Sequence, residues 1–136
     1  MFSLPFVLPA AQAAPDSVYF MSVNDTVLDL NDATMPFFVN GVLYVPYTMF
    51  DPDTAGSGLG VFSSYSRSKA AVLIYGWGGT LLFDLQKNNS TFGGRTYPDS
   101  AIQRNSTVFV PLDMVCRCFE LEWSWLMVDH GYYFKI

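Results

Sequence analysis

An α+β fold is predicted for this chain, a twisted antiparallel β-sheet wrapped around a helix, and three observations predict it. From Val18 onward, short runs rich in β-branched and aromatic residues alternate with Asn, Asp and Gly, the pattern of strands joined by tight turns. After Pro111, the residues Leu112, Val115, Cys116 and Phe119 recur at helical spacing and form a core-facing stripe. Slid by 65 residues, the chain matches itself: Asn40-Gly41-Val42-Leu43-Tyr44-Val45-Pro46 falls on Asn105-Ser106-Thr107-Val108-Phe109-Val110-Pro111 without a gap. The repeated unit reads hairpin, Pro-led helix, strand, strand, with copies at about 18–75 and 83–136.

The elements follow in order. Runs at 18–23 and 26–30 flank Asn24-Asp25, and runs at 36–39 and 42–45 flank Asn40-Gly41, a strong two-residue hairpin signal. Pro46 suits a first helical turn, so 46–50 is expected to be a short helix that stops near Asp51-Pro52. Residues 51–60 hold one Pro and three Gly and read as a loop. Strands are expected at 61–65, 70–75 and 80–85, with Gly76-Trp77-Gly78-Gly79 as the turn between the last two. In the second copy the offset drops to 60 after the helix, so Leu59-Gly60-Val61 meets Phe119-Glu120-Leu121 and Val72-Leu73-Ile74 meets Tyr132-Tyr133-Phe134. Asp113, early in the second helix, complements the helix dipole.

Composition bounds the function. With 136 residues, the chain suffices for one domain, which buries roughly two thirds of the surface its unfolded form exposes. Apolar residues make up 51% and aromatic residues 17%, while charged residues reach only 14%, a balance that excludes disorder. No apolar run approaches the roughly 20 residues a spanning helix needs, so no membrane span is expected. A net charge of −5 argues against nucleic acid and anionic lipid surfaces as partners, because both are bound by clustered Lys and Arg.

The amino-terminal residues carry a compartment signal. Residues 1–9 are nearly all apolar and lead into Ala10-Ala11-Gln12-Ala13-Ala14, which contains the A-x-A pattern of a secretory cleavage site. Residues 1–13 are therefore read as a signal-peptide remnant and 14–136 as a single extracytoplasmic domain. The first basic residue is Arg67, so the leader is expected to start upstream of Met1. Cys116 and Cys118 lie one residue apart in a predicted helix, about 200° apart around its axis, a spacing that disfavours a bond between them. One thiol buried and one exposed is the expectation. Triplets of the N-x-[ST] type occur at Asn24, Asn88, Asn89 and Asn105, where hairpin turns also demand such residues.

No catalytic set, cofactor or metal centre emerges. The soft metal ligands are His130, Cys116 and Cys118, too few for a transition-metal site, and His130 lies in Asp129-His130-Gly131, a turn between two strand-like runs. Ser66-Arg67-Ser68-Lys69 fits the S-x-x-K pattern of serine acyl-enzymes, but it stands in a turn and no S-D-N or K-T-G accompanies it. Glu120 and Glu122 would share a strand face, too close in sequence to flank a glycosidic bond. Gly56-Ser57-Gly58-Leu59-Gly60 leads into a strand with no basic residue, unlike a phosphate loop. The chain is read as not an enzyme.

What remains is the aromatic surplus. Tyr65, Tyr75, Trp77, Trp123, Trp125, Tyr132 and Tyr133 cluster in the strands and turns after each helix. Aromatic faces on a sheet serve as platforms for sugar rings, with nearby Asn and Asp accepting hydroxyl hydrogen bonds. Trp77, Trp123, Trp125, Tyr75 and Tyr132 form the candidate ligand platform. By alternation Trp123 and Trp125 share one face, and Tyr132 shares a face with Phe134 while Tyr133 takes the other. Core packing is the other fate open to these rings, and Trp77, set among Gly76, Gly78 and Gly79, is the one most expected to be exposed.

The order Asn40-Gly41, Tyr44-Val45-Pro46, then Asn105, Phe109-Val110-Pro111-Leu112, then Leu121-Glu122-Trp123 resembles the copper amine oxidase N-terminal-like domain family, over about residues 18–136. Where that family carries Arg after Val-Pro-Leu, this chain has Asp113 and, in the first copy, Thr48; where it carries Asp after the Trp, Ser124 stands. The resemblance implies a twisted antiparallel sheet around a helix, a place outside the cytoplasm and a stalk or accessory role beside cell-wall enzymes. It does not imply amine oxidation, whose copper centre needs three His in a different domain. The expected function is a non-catalytic, secreted cell-envelope module that recognises cell-wall polysaccharide or peptidoglycan. The alternative is a structural module whose strand edges pair with a neighbouring envelope protein or with a copy of itself.

Overall fold

A computed structural model describes residues 18–23, 26–51, 59–104, 106–128 and 131–136. The signal-peptide remnant, the Asn24-Asp25 turn, most of the Gly-rich loop, Asn105 and His130 lie outside the described residues.

The chain is α+β, mostly antiparallel strands, and among the described residues one α-helix is complete, α1 (Leu112–Cys118). The strands are β1 (Val18–Val23), β2 (Thr26–Val27), β3 (Phe37–Val39), β4 (Val42–Pro46), β5 (Val61–Ser66), β6 (Ala71–Gly76) and β7 (Gly79–Asp84). They continue with β8 (Asn89–Phe92), β9 (Arg95–Tyr97), β10 (Ile102–Arg104), β11 (Thr107–Pro111), β12 (Ser124–Val128) and β13 (Gly131–Lys135). The expected hairpins form where the turn residues allow them. Asn40 and Gly41 both take positive φ, at 51° and 80°, which a two-residue hairpin of the right twist requires, and Val39 then pairs with Val42. Trp77 and Gly78 turn β6 into β7, whose pairing ends at Gly76 and Gly79.

Four expectations need correction. Among the described residues the single wrapped sheet is in fact three, ordered β12-β13-β1-β2, β10-β11-β4-β3 and β5-β6-β7-β8-β9. A strongly twisted sheet splits before it reaches this many strands, so packed smaller sheets are the physical outcome. The pairing is not wholly antiparallel either, because β1 runs parallel to β13, with Met21 opposite Phe134. Parallel neighbours need a long crossover, and here nearly the whole domain lies between the two strands. The first helix is only a four-residue 3₁₀ turn, Tyr47–Phe50. It stops because Asp51 precedes Pro52 and takes an extended conformation, as the proline ring demands of its predecessor. Strand 26–30 shrinks to Thr26–Val27, while the β8–β9 hairpin at Gly93-Gly94 adds strands that the sequence reading left out.

One core joins all three sheets. Met21 and Phe134 come from the first, Val45 and Val110 from the second, Val72, Ile74, Leu81 and Phe83 from the third, and Leu112, Val115 and Cys116 from α1. The predicted helical stripe is therefore the buried face of α1, with Met114 added and Phe119 packed at its edge. The helix ends at Cys118, and Glu120 just beyond it takes φ of 56°; the Leu121 N–H then donates to the Cys116 carbonyl at 2.8 Å. This left-handed closure satisfies a terminal carbonyl and turns the chain toward β12.

Candidate functional site

Two adjoining clefts flank the C-terminal end of α1. The larger, of about 350 Å³, is lined by Phe92, Tyr97, Asp99, Met114, Arg117 and Cys118. The smaller, of about 170 Å³, lies between the β6–β7 turn and the end of the helix, with Trp77, Gly78, Cys118, Phe119 and Glu120 among its walls. Cys118 belongs to both, and Phe92 of the first cleft meets Phe119 of the second edge-on, with ring centroids 5.5 Å apart. The two clefts thus adjoin at Cys118 and the Phe92–Phe119 pair, and together they make the groove at the end of α1.

Local sequence builds this groove. A Cβ on Gly76 would stand 2.8 Å from the Gly60 carbonyl oxygen, so only glycine lets the end of β6 lie this close to the chain entering β5, while the Phe119 ring is at ordinary contact distance, 3.5 Å. Trp77 follows on the turn with no cover, at 103% of its reference exposure. At the other end, Arg117 Nε donates to Asp113 Oδ2 at 3.0 Å, one helical turn back, and the Trp123 indole N–H donates to Asp113 Oδ1 at 3.3 Å. Asp113 thereby holds the Arg117 guanidinium beside the larger cleft. The pair is solvent-exposed, so its worth lies in orientation more than in stability. Burial raises the Cys118 thiol pKa, Arg117 opposes that rise and Asp99 adds to it.

The five expected platform residues fall into two groups. Trp125 and Tyr132 sit together on the first sheet, with centroids 5.5 Å apart, and both meet Phe38, at 6.4 and 6.1 Å. Trp123 precedes β12 and leans on Phe134 at 6.3 Å, on the same side as Trp125. Tyr132 stacks on Phe134, while the Tyr133 hydroxyl shares a 2.7 Å hydrogen bond with Ser22. Tyr75 and Trp77 belong to the five-stranded sheet, where Tyr75 packs on Phe62 at 6.0 Å. Of the five, Trp77 alone lines the groove, while Trp123 bonds Asp113, the partner of Arg117. Phe92, Tyr97, Asp99 and Arg117 escaped the sequence reading, because nothing in their spacing brings β8, β9 and α1 together.

The other candidate motifs resolve simply. Ser66 ends β5 in a turn, its hydroxyl accepting from the Lys69 backbone N–H at 3.4 Å, and no helix follows. Glu120 and Glu122 are exposed in the joint between α1 and β12. Asn88 takes φ of 55° in a turn whose backbone N–H groups at Gln86 and Lys87 donate to Asp84, so this triplet serves the turn. Cys116 is buried and Cys118 partly so, both as free thiols. Among the described residues no three His, Cys, Asp or Glu side chains converge on a common point, and no helix is long and apolar enough to cross a membrane. No family model, curated protein or solved structure matches the chain.

Proposed function

We propose that this chain is a non-catalytic, extracytoplasmic envelope module of the copper amine oxidase N-terminal-like kind, and that it binds cell-wall polysaccharide or peptidoglycan along the groove at the end of α1. The carrying observation is Trp77, a full-sized indole exposed at 103% on a glycine-flanked turn, where it adds nothing to the core and walls a cleft. Such a ring offers a flat apolar face to a pyranose, and Tyr97, Asp99 and Arg117 supply hydroxyl and carboxylate partners farther along.

The internal duplication is part of the same proposal. Val45 pairs with Val110, the residue 65 positions on, and its flanking pairs Phe109–Pro46 and Pro111–Tyr44 exchange under that same offset. Gly41 and Ser106, and likewise Gly60 and Glu120, share positive φ at matched positions. These features support an approximate two-fold relation centred on β4 and β11. It does not extend to β1, since 18–23 falls on 83–88, where only Phe83 and Asp84 are strand.

Co-sedimentation with purified peptidoglycan and insoluble polysaccharides tests the binding. Wild type and Trp125→Ala are expected to pellet, and Trp77→Ala to stay in the supernatant with an unchanged circular dichroism spectrum. Loss of binding in Trp125→Ala alone would move the site to the first sheet, and no binding by wild type would sink the glycan reading.

A further inference from the structure

We infer that β12 is a docking edge for a second copy of this chain, paired antiparallel about Leu126 so that the two β12-β13-β1-β2 sheets become continuous. Among the described residues β12 is an outer strand, and its sequence, Ser-Trp-Leu-Met-Val, has no charge and no proline. Trp125, Leu126 and Met127 are 50%, 53% and 67% exposed. Successive strand residues point to opposite faces, so three exposed apolar neighbours mean that the edge is open on both sides.

The other outer strands carry the usual protections. β2 has two residues and β3 has three. β9 and β10 are equally short and carry Arg95 and Arg104. β5 is longer but serine-rich, and its Ser63 hydroxyl donates to Asp51 at 2.6 Å. Among the described outer strands only β12 combines length and neutrality with three consecutive exposed apolar side chains. The apolar surface also continues across the sheet, since Leu126 pairs with Tyr133, which pairs with exposed Phe20.

The self-complementarity of β12 selects a second copy as the occupant. Each copy carries −5, and the uncharged β12 strand adds no like charge at the point of contact. Centred on Leu126, antiparallel pairing sets Leu126 against Leu126 of the second copy on one face. On the other face Trp125 meets Met127 of the second copy, twice, giving thioether-to-indole contacts at cross-strand distance.

The test is the mass of the full chain by light scattering as its concentration is varied. The expected result is twice the monomer mass, falling on dilution, with Leu126→Lys monomeric throughout and unchanged in circular dichroism. Trp77→Ala leaves the mass alone, since the groove lies elsewhere. Register is checked by Leu126→Cys in a Cys118→Ser background. Directly opposed residues in an antiparallel pair lie about 4.5–5.5 Å apart at Cα, within disulfide reach, so mild oxidation should cross-link the copies. Val27→Cys, equally exposed but on β2, should not cross-link. A wild type monomeric at every concentration, a dimer that survives Leu126→Lys, or equal cross-linking at Val27 would overturn the inference.

Discussion

Burial sets the chemistry of single residues here more than sequence neighbours do. Cys116 and Cys118 stand two positions apart, yet Cys116 faces the core and Cys118 the groove. Burial pushes the Cys116 thiol up to about 12 from 9.0, with Asp113 adding to the rise. Below pH 9.0 the thiol is neutral in both folded and unfolded chains, so the advantage of keeping it protonated is fully present. As pH rises from 9.0 toward about 12, the unfolded chain releases a proton that the folded chain retains, and stability falls. Urea midpoints should therefore decline through that window, and Cys116→Ala should decline less steeply. Tyr44 and Tyr47, also raised by burial, keep a residual slope in the variant. At this scale the sequence exposed Trp77, because glycines on both sides leave it nothing to pack on. It could not single out Tyr97 or Asp99, whose role comes from a helix distant in the chain.

Secondary elements obey their local signals where turn and cap residues act within a few positions. Pro111 opens α1 and the Asn40-Gly41 pair turns β3 into β4, both at the residues expected. The end of α1 is less comfortable. Glu120 adopts the left-handed conformation that glycine takes without penalty, as Gly60 does with φ of 73°. Glu120→Gly should therefore stabilise the fold by about 0.5–1 kcal/mol, read as a higher urea midpoint at unchanged slope. A lower midpoint would mean that the Glu120 side chain contributes more than its backbone strain costs. The 3₁₀ turn at Tyr47–Phe50 shows how a neighbour overrides a helix start: Pro52 forces Asp51 out of helical geometry before a full α-turn can form.

At the scale of the molecule, the three sheets and α1 among the described residues share one core, and the first and last described strands, β1 and β13, pair in parallel. Met21 and Phe134 are both fully buried across that pair, so neither strand can fray without opening the core. Unfolding should accordingly be a single cooperative event. Tryptophan emission, dominated near the core by Trp123 beside Phe134, and far-ultraviolet circular dichroism should give superimposable urea curves. Two separated transitions would show that the five-stranded sheet is an independent unit.

Alternation, turn chemistry and the Pro-led helical stripe, read from sequence by itself, determined the α+β class, most strands, the buried face of α1 and the exposure of Trp77. These signals act over a few residues, so the covalent chain carries them directly. Only the tertiary structure decided how many sheets there are, that β1 lies parallel to β13, that the aromatic residues divide between two sheets, and that β8, β9 and the end of α1 enclose a groove. Those outcomes depend on pairings between distant strands, where many registers satisfy the same alternation and only mutual burial around a shared core selects one.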